Sequence, residues 1–438
     1  MVSPTTIQAY VLSAETPSRA AATPVNDPPC SNTAGILVVI RPTVGVALDC
    51  RLPVKVLVNS LAVPSCRQGG SGFFAAELID GLSRADGVEC TVLASRLVAG
   101  ELEELAPAAQ VAIAAEHSLS LPAKALNQAL ASRRPERLDL GFAGPVPEAD
   151  VVHWPIAFMN GPVAQRKGAW VLSIHDIQHE FFPQFFSRRD RLLRRLRWRP
   201  SARAADHIVT ISEFSRRTIC ERFGVPAEKI SVVPLAARKT LLADPATTPL
   251  PSGLAESEDP WVVYPASPLP AKNHARLLEG LALHRDHNDD GLRLVLIGPT
   301  QHSWAPVERA ITEHGLEDRV LRLGHVSEAT LSALYRRATG LVFPSLFEGF
   351  GMPVVEAMEV GCPVAVSDAA CLPEVAGEVG RSFSPYEPEQ IAAALEWLVG
   401  IDAQERSRQA AAGREQAAKF SLERLIEGTI GVYRELLA

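Results

Sequence analysis

The strongest constraint on the fold is an alternation of strand-length apolar runs with helical patterns, repeated in two series along the chain. In the first series, Val54-Lys55-Val56-Leu57-Val58-Asn59 reads as a buried strand. A glycine loop follows at Gly69, Gly70 and Gly72, then a helical pattern over Phe73–Leu82. Short apolar runs over 90–94, 151–153, 170–174 and 207–211 predict further strands, and Ser212 is a good N-cap for a helix over Glu213–Phe223. The second series places strands at 261–266, 292–298, 320–323, 340–343 and 363–367, each followed by a loop or helix. A strand joined to the next through a helix favours parallel pairing, because parallel neighbours need a crossover. The expected fold class is α/β, with two Rossmann-like, doubly wound parallel-sheet domains facing a cleft.

A chain of 438 residues exceeds one ordinary core and suits two domains. The stretch 243–260 is rich in proline and acidic residues, has no apolar period, and reads as a linker. It separates an amino domain over 53–242 from a carboxyl domain over 261–418, and a last helix occupies 419–438. Residues 1–52 carry many Ala, Pro, Thr and Ser without a period, which fits a disordered extension or a start codon placed too early.

The formal net charge of −7 gives no reason to expect a nucleic-acid partner. Seven widely spaced cysteines, with no C-x-x-C pair, read as reduced thiols in a cytoplasmic protein. No apolar run reaches the ~18–20 residues of a spanning helix; the best, Gly35–Cys50, is broken by Arg41 and Pro42.

The most informative segment is Phe343-Pro-Ser-Leu-Phe-Glu-Gly-Phe-Gly-Met-Pro-Val-Val-Glu-Ala-Met358, a strand end, a glycine turn and a helix start. Gly349 and Gly351 allow close backbone approach to a ligand, and Pro353 suits a first helical turn. The N–H groups of Met352–Val355 are expected to face a diphosphate, with Phe350 and Gly351 beside it. Glu356 is expected to accept ribose hydroxyl bonds, and Glu348 to hold sugar hydroxyls. In Val263-Tyr-Pro-Ala-Ser-Pro-Leu-Pro-Ala-Lys-Asn-His274, Lys272 stands where a helix begins and can reach the same diphosphate as a point charge.

These two segments resemble those of glycosyltransferase family four, retaining enzymes of the GT-B fold whose E-x7-E motif matches Glu348 and Glu356. The resemblance covers roughly residues 54–438 and is strongest over 261–385. It implies a retaining transferase that moves a sugar from a nucleotide-diphosphate sugar to a saccharide or lipid-linked saccharide acceptor. Lys272 matches the family's pyrophosphate lysine. The arginine often found five or six residues earlier is replaced by Ser267 and Ala266. Gly69 and Gly70 match a loop that closes over donor phosphate. His175, in Ser173-Ile-His-Asp-Ile-Gln-His179, matches a histidine beside the transferring sugar. Gly324 and Val326 are expected near the base, through backbone. The catalytic set is therefore His175, Lys272 and Glu348; the expected donor contacts add Gly69, Gly70, Ser267, Gly324, Val326, Phe350, Gly351, Met352, Val355 and Glu356.

No Asp-x-Asp motif sits at a strand end, and His175 and His179 form no H-E-x-x-H motif and do not lie on a long helix, so no metal site is assigned and no cofactor is required. Resemblance to mannosyl- and rhamnosyl-type members favours GDP-mannose as donor. Two other classes stay open: another GT-B enzyme such as a nucleotide-sugar epimerase, and a non-catalytic sugar-binding homologue. Arg188–Arg203 is arginine-rich with interspersed Leu and Trp. It fits a basic amphipathic helix making peripheral contact at the inner membrane face, a solvated face, or a partner for the acidic carboxyl domain.

Overall fold

A computed structural model describes residues 53–67, 69–116, 133–134, 142–143, 146–160, 168–237, 248–255, 258–288, 290–299 and 304–438. The proposed extension over 1–52, Gln68 and part of the linker lie outside them.

The amino half runs β1 (Val54–Asn59), α1 (Gly69–Arg84), β2 (Val88–Ala94), α2 (Arg96–Leu105), β3 (Gln110–Ile113), then a short antiparallel pair, β4 (Ala115–Glu116) with β5 (Phe142–Ala143). It continues through β6 (Val151–Trp154), β7 (Ala169–Ser173), α3 (Gln178–Phe181), α4 (Arg188–Ala204), β8 (His207–Thr210), α5 (Glu213–Phe223) and β9 (Ile230–Val232). Its parallel sheet has the order β3-β2-β1-β6-β7-β8-β9. Successive residues of β1 are buried on opposite faces, Val56 and Val58 in one core cluster and Leu57 in another. That is the mark of a sheet covered by helices on both sides.

The carboxyl half runs β10 (Trp261–Pro265), α6 (His274–His287), β11 (Arg293–Ile297), α7 (Ala305–Glu313), β12 (Val320–Gly324), α8 (Glu328–Arg337), β13 (Gly340–Phe343) and α9 (Met352–Glu359). Then come β14 (Val364–Ser367), α10 (Leu372–Ala376), β15 (Arg381–Phe383), α11 (Pro388–Gly400), α12 (Ala403–Ala417) and α13 (Leu422–Leu437). Its parallel sheet has the order β12-β11-β10-β13-β14-β15. In both sheets the order reverses beside the first strand, between β1 and β6 and between β10 and β13. Crevices at such switch points, outside the carboxyl ends of the strands, are where doubly wound sheets bind ligands.

The final helix packs on the amino half. Gly81 of α1 leaves room for Ile426, and the buried Tyr433 hydroxyl lies 2.6 Å from His153 Nδ1 on β6. His153 Nε2 in turn meets Ser173 Oγ at 2.8 Å on β7, so Tyr433, His153 and Ser173 form a paired buried chain.

The glycine segment departs from expectation. Gly69 and Gly70 open α1 rather than forming a loop before it. The preceding loop is tied to α2, where Glu101 accepts hydrogen bonds from Ser65 Oγ at 2.8 Å and Cys66 N at 2.5 Å. A Cβ at Gly72 would collide with the Ser65 carbonyl, so glycine there lets the loop close on the helix start.

Candidate active site

Strands β10 and β13 are neighbours, and their following loops carry Lys272 and Glu348. Lys272 ends a 3₁₀ turn, Pro270–Lys272, rather than starting the helix. Asn273, with φ 59°, separates that turn from α6. Asparagine tolerates the left-handed region better than most residues. Its buried amide donates to the carbonyls of Pro344 at 3.0 Å and Pro385 at 2.7 Å, fastening the lysine loop to the loops after β13 and β15. Tyr264 Oη donates to the Lys272 carbonyl at 2.5 Å. The lysine backbone is thus clamped, and its side chain crosses to Glu348 with Nζ 2.5 Å from Oε1. Lys272 is 24% and Glu348 12% exposed, so the pair is partly desolvated and still open on one side.

Gly351 adopts φ 101° at the entry to α9, and a Cβ there would stand 2.6 Å from Leu372 Cδ2. Glycine is therefore required on both conformational and steric grounds. The expected row of four N–H donors at Met352–Val355 is incomplete. Pro353 has none, and Val354 N donates to the Gly351 carbonyl at 2.9 Å. Phe350 and Val355 bury their side chains, and Phe350 packs edge-on to Phe420 with centroids 5.2 Å apart. Only their backbone can meet a donor. Glu356, expected beside an open ribose site, is 1% exposed and accepts a bond from Tyr335 Oη at 3.0 Å. A buried carboxylate needs such a donor, and no local sequence signal marks Tyr335 as the residue that supplies it.

The two halves meet at this turn. A Cβ on Gly349 would stand 2.9 Å from the His175 carbonyl oxygen and 3.1 Å from Asp176 Cβ. Ser215 Oγ donates to the same His175 carbonyl at 2.8 Å. Phe347, just before Glu348, packs among Phe181, Phe182 and Phe214 at centroid distances of 5.4, 6.0 and 5.4 Å. The Glu374 carboxylate accepts the N–H groups of Glu213 at 2.7 Å and Phe214 at 3.1 Å, capping α5 from the opposite half.

His175 follows β7 and lies edge-on to Phe74, with centroids 4.5 Å apart. Its Nε2 is buried with no hydrogen-bond partner among the described residues, and burial lowers its pKa to about 4. The imidazole is therefore neutral at pH 7 and can donate or accept one hydrogen bond through Nε2. Asp176 has a raised pKa, chiefly through burial and further through Glu348, while the Gln178 N–H, Arg194 and Lys272 oppose the rise. His179 is a packing residue, 4.7 Å from Trp198 between centroids and 3.6 Å from Glu180, beyond hydrogen-bond range.

A cavity of about 450 Å³ opens beside these groups, lined by Gly69–Gly72, His175, Asp176, Phe186, Arg194 and Trp198. The structure thus brings Lys272 and Glu348 beside the His175 segment, and Gly69 and Gly70 line the same cavity as His175 and Asp176. Ser267 lies in the loop between β10 and Lys272, its carbonyl taken by Leu269 N at 2.7 Å. Gly324 ends β12, two strands from β10, and its carbonyl accepts Gly298 N at 3.0 Å; Val326 packs against the core. Among the described residues no group of three or more His, Cys, Asp or Glu side chains is placed to hold a metal ion.

Two family models match the chain. Residues 68–237 match "Glycosyltransferase Family 4" and residues 250–416 match "Glycosyl transferases group 1". Among curated relatives, O-antigen chain mannosyltransferase B of Escherichia coli is 32% identical over 53% of this chain and 61% of its own length. MMP alpha-(1→4)-mannosyltransferase of Mycolicibacterium hassiacum is 31% identical over 54% of this chain and 56% of its own length. The chain thus spans little more than half of these relatives. Among solved structures, a glycosyltransferase from Rickettsia africae matches with TM-score 0.64 at 16% identity, covering 88% of this chain and 99% of that one. HepE of Anabaena, solved with UDP and glucose, matches with TM-score 0.62 at 18% identity, covering 87% of this chain and 100% of that one. At such identities the structural matches speak for the fold, two facing Rossmann-like domains.

Proposed function

The chain belongs to glycosyltransferase family four, and from that premise we propose that it is a retaining hexosyltransferase using a nucleotide-diphosphate sugar. The observation that carries this reading is the Lys272–Glu348 pair at neighbouring strand ends, set against the His175–Asp176 segment of the other half. The donor diphosphate lies against Lys272 and the start of α9, where Met352 and Val355 offer their N–H groups. Glu348 holds sugar hydroxyls and Glu356 the ribose. Gly69 and Gly70, with the N-terminus of α1, face the phosphates from the amino half, and Gly324 and Val326 flank the base.

In the reaction the bond from the anomeric carbon to the diphosphate oxygen breaks while the acceptor oxygen bonds to the same face. The acceptor proton passes to the departing diphosphate. The protein's part is positioning and stabilising the charge that grows on the leaving group, mainly through Lys272. Neutral His175 holds a hydroxyl of the sugar or the acceptor through Nε2.

The mannosyltransferase relatives favour mannose as the transferred sugar, and GDP-mannose is the donor assigned on that ground. The acceptor is a saccharide or lipid-linked saccharide. Among the described residues no helix is long and apolar enough to cross a membrane. The outward face of α4, with Arg188, Arg189, Arg191, Leu192 and Arg195 exposed, supports peripheral contact with anionic lipid at the cytoplasmic face. A thermal-shift screen of nucleotide sugars tests the donor assignment: GDP-mannose should raise the melting temperature more than UDP-, ADP- or dTDP-sugars. No shift with any nucleotide sugar would overturn it.

A further inference from the structure

The arginine-rich helix α4 has an inner face that the membrane reading does not use. Arg194 turns into the cavity beside His175 and Asp176. Its guanidinium stacks between two rings, 4.8 Å from the Phe186 centroid and 4.6 Å from that of Trp198. Cation–π contact fixes the plane of the group. It does not satisfy the N–H donors at its edge, and no acceptor meets them among the described residues. By contrast, Arg199 on the same helix is paired with Glu180 at 2.7 Å.

The surroundings leave this cation under-compensated. The carboxylates that act on it are Asp176 and Asp190. Asp190 is engaged by Ser187, whose hydroxyl donates to it at 2.6 Å. Asp176 is buried and pushed toward its neutral form. The same cavity is lined by Gly69–Gly72 at the N-terminus of the 16-residue helix α1, which adds positive potential. His175 contributes an unpartnered polar atom rather than a charge. A half-buried guanidinium and a helix N-terminus lining one aromatic-walled cavity form a receptor for anionic oxygens.

We propose that this cavity is an acceptor subsite for an anionic saccharide, and that Arg194 binds its phosphate or carboxylate oxygens while Phe186 and Trp198 support the adjoining ring. The inference rests on the transferase reading for the word acceptor, but the anion preference is separately measurable. It makes Arg194 a specificity-determining residue and sets the substrate class apart from neutral glycans. The same anion can belong to a soluble sugar phosphate or to the phosphate of a lipid-linked saccharide.

Calorimetry on the full chain, with and without GDP, tests it. The probes are mannose, mannose 6-phosphate and glucuronate, together with phosphatidic acid in phosphatidylcholine vesicles. The anionic sugars should bind roughly tenfold or more tightly than mannose, as expected for a gained charge-assisted contact. Arg194→Gln should remove that preference and leave the affinity for GDP unchanged. Arg194→Lys, which keeps the charge and the stem against Trp198, should retain part of it and covers the case in which Arg194→Gln folds poorly. Where the preference is lost in Arg194→Gln, stronger saturation by the vesicles assigns the anion to a lipid, and by the soluble sugars to a sugar phosphate or uronate; vesicle binding that survives in Arg194→Gln belongs to the outward face of α4 and counts against the subsite. Equal binding of neutral and anionic probes, no binding by any of them, or a preference that survives in both variants overturns it. Loss of GDP affinity in Arg194→Gln also overturns it, placing Arg194 at the donor diphosphate instead. Failure of GDP to bind the unmodified chain would count against the transferase reading and leave the anion comparison readable.

Discussion

Lys272 and Glu348 leave different strands, yet their side chains meet with Nζ 2.5 Å from Oε1 at the mouth of the cleft. A donor diphosphate must share that lysine with the glutamate. Because the charge on the leaving group grows along the reaction, Lys272→Ala should lower kcat by roughly 10²-fold, as losing an oxyanion donor does elsewhere. Steady-state kinetics with saturating donor checks this. A wild-type kcat would remove Lys272 from the chemical step.

Glu356→Gln should weaken free nucleoside diphosphate and nucleotide sugar alike, because both contain the ribose. A lost charge-assisted hydrogen bond corresponds to about 1.5–3 kcal/mol. Tyr335→Phe should have a smaller effect in the same direction, since Tyr335 orients the carboxylate from behind. Unchanged affinity in calorimetry for Glu356→Gln would exclude the ribose assignment.

Stability should fall in mild acid. Burial lowers the pKa of His153 to about 3 and those of His175 and His274 to about 4. An unfolded histidine titrates near 6.5. The folded chain therefore holds these rings neutral, and their contribution is fully present above about pH 6.5 and lost progressively as pH falls toward 4. Each ring adds at most about 1.4 kcal/mol per pH unit in that window. Melting temperatures between pH 6.5 and 5, above the main carboxylate range, should decline, and less steeply in His153→Gln. A flat profile would contradict the buried neutral assignment.

The outward face of α4 should bind anionic membranes. Replacing Arg189, Arg191 and Arg195 with Gln should reduce sedimentation with phosphatidylserine vesicles at low salt by roughly 10²-fold, at about 1 kcal/mol per arginine. Added salt should do the same to the unmodified chain as the Debye length shortens. Arg194 and Arg197 are kept in this variant. Arg194 lines the cavity, and Arg197 lies over Phe158, itself in the cavity wall. Equal recovery with neutral and anionic vesicles would make the face a merely solvated one.

Much of this site was legible because its signals are local. A strand, a glycine turn and a proline-started helix over 343–358 are encoded within a few residues, and Ser212 caps α5 as its sequence position requires, accepting Ser215 N at 3.1 Å. Contacts made by tertiary packing were not legible. The bond from Tyr335 to Glu356 joins α8 to α9, and Glu374 caps a helix 160 residues earlier in the chain. Periodicity carries no information on such partners. Gly69, Gly70 and Gly72 begin a helix although glycine usually argues for a loop, and only at Gly72 does packing show why, since a Cβ there would collide with the Ser65 carbonyl. Arg194 was one arginine among eight in Arg188–Arg203 until the fold turned it inward. The Asn273 αL turn, by contrast, had a readable signal in the Lys-Asn-His sequence.

The central claim, transfer with retention from a nucleotide-diphosphate sugar, is tested most directly by following the anomeric proton of the product by NMR during turnover of GDP-α-mannose with mannose-containing acceptors, neutral and phosphorylated. The expected result is GDP release that depends on acceptor, no epimerised donor, and a new α-linked mannosyl residue. A β-linked product, or GDP-sugar epimerised without transfer, would contradict it.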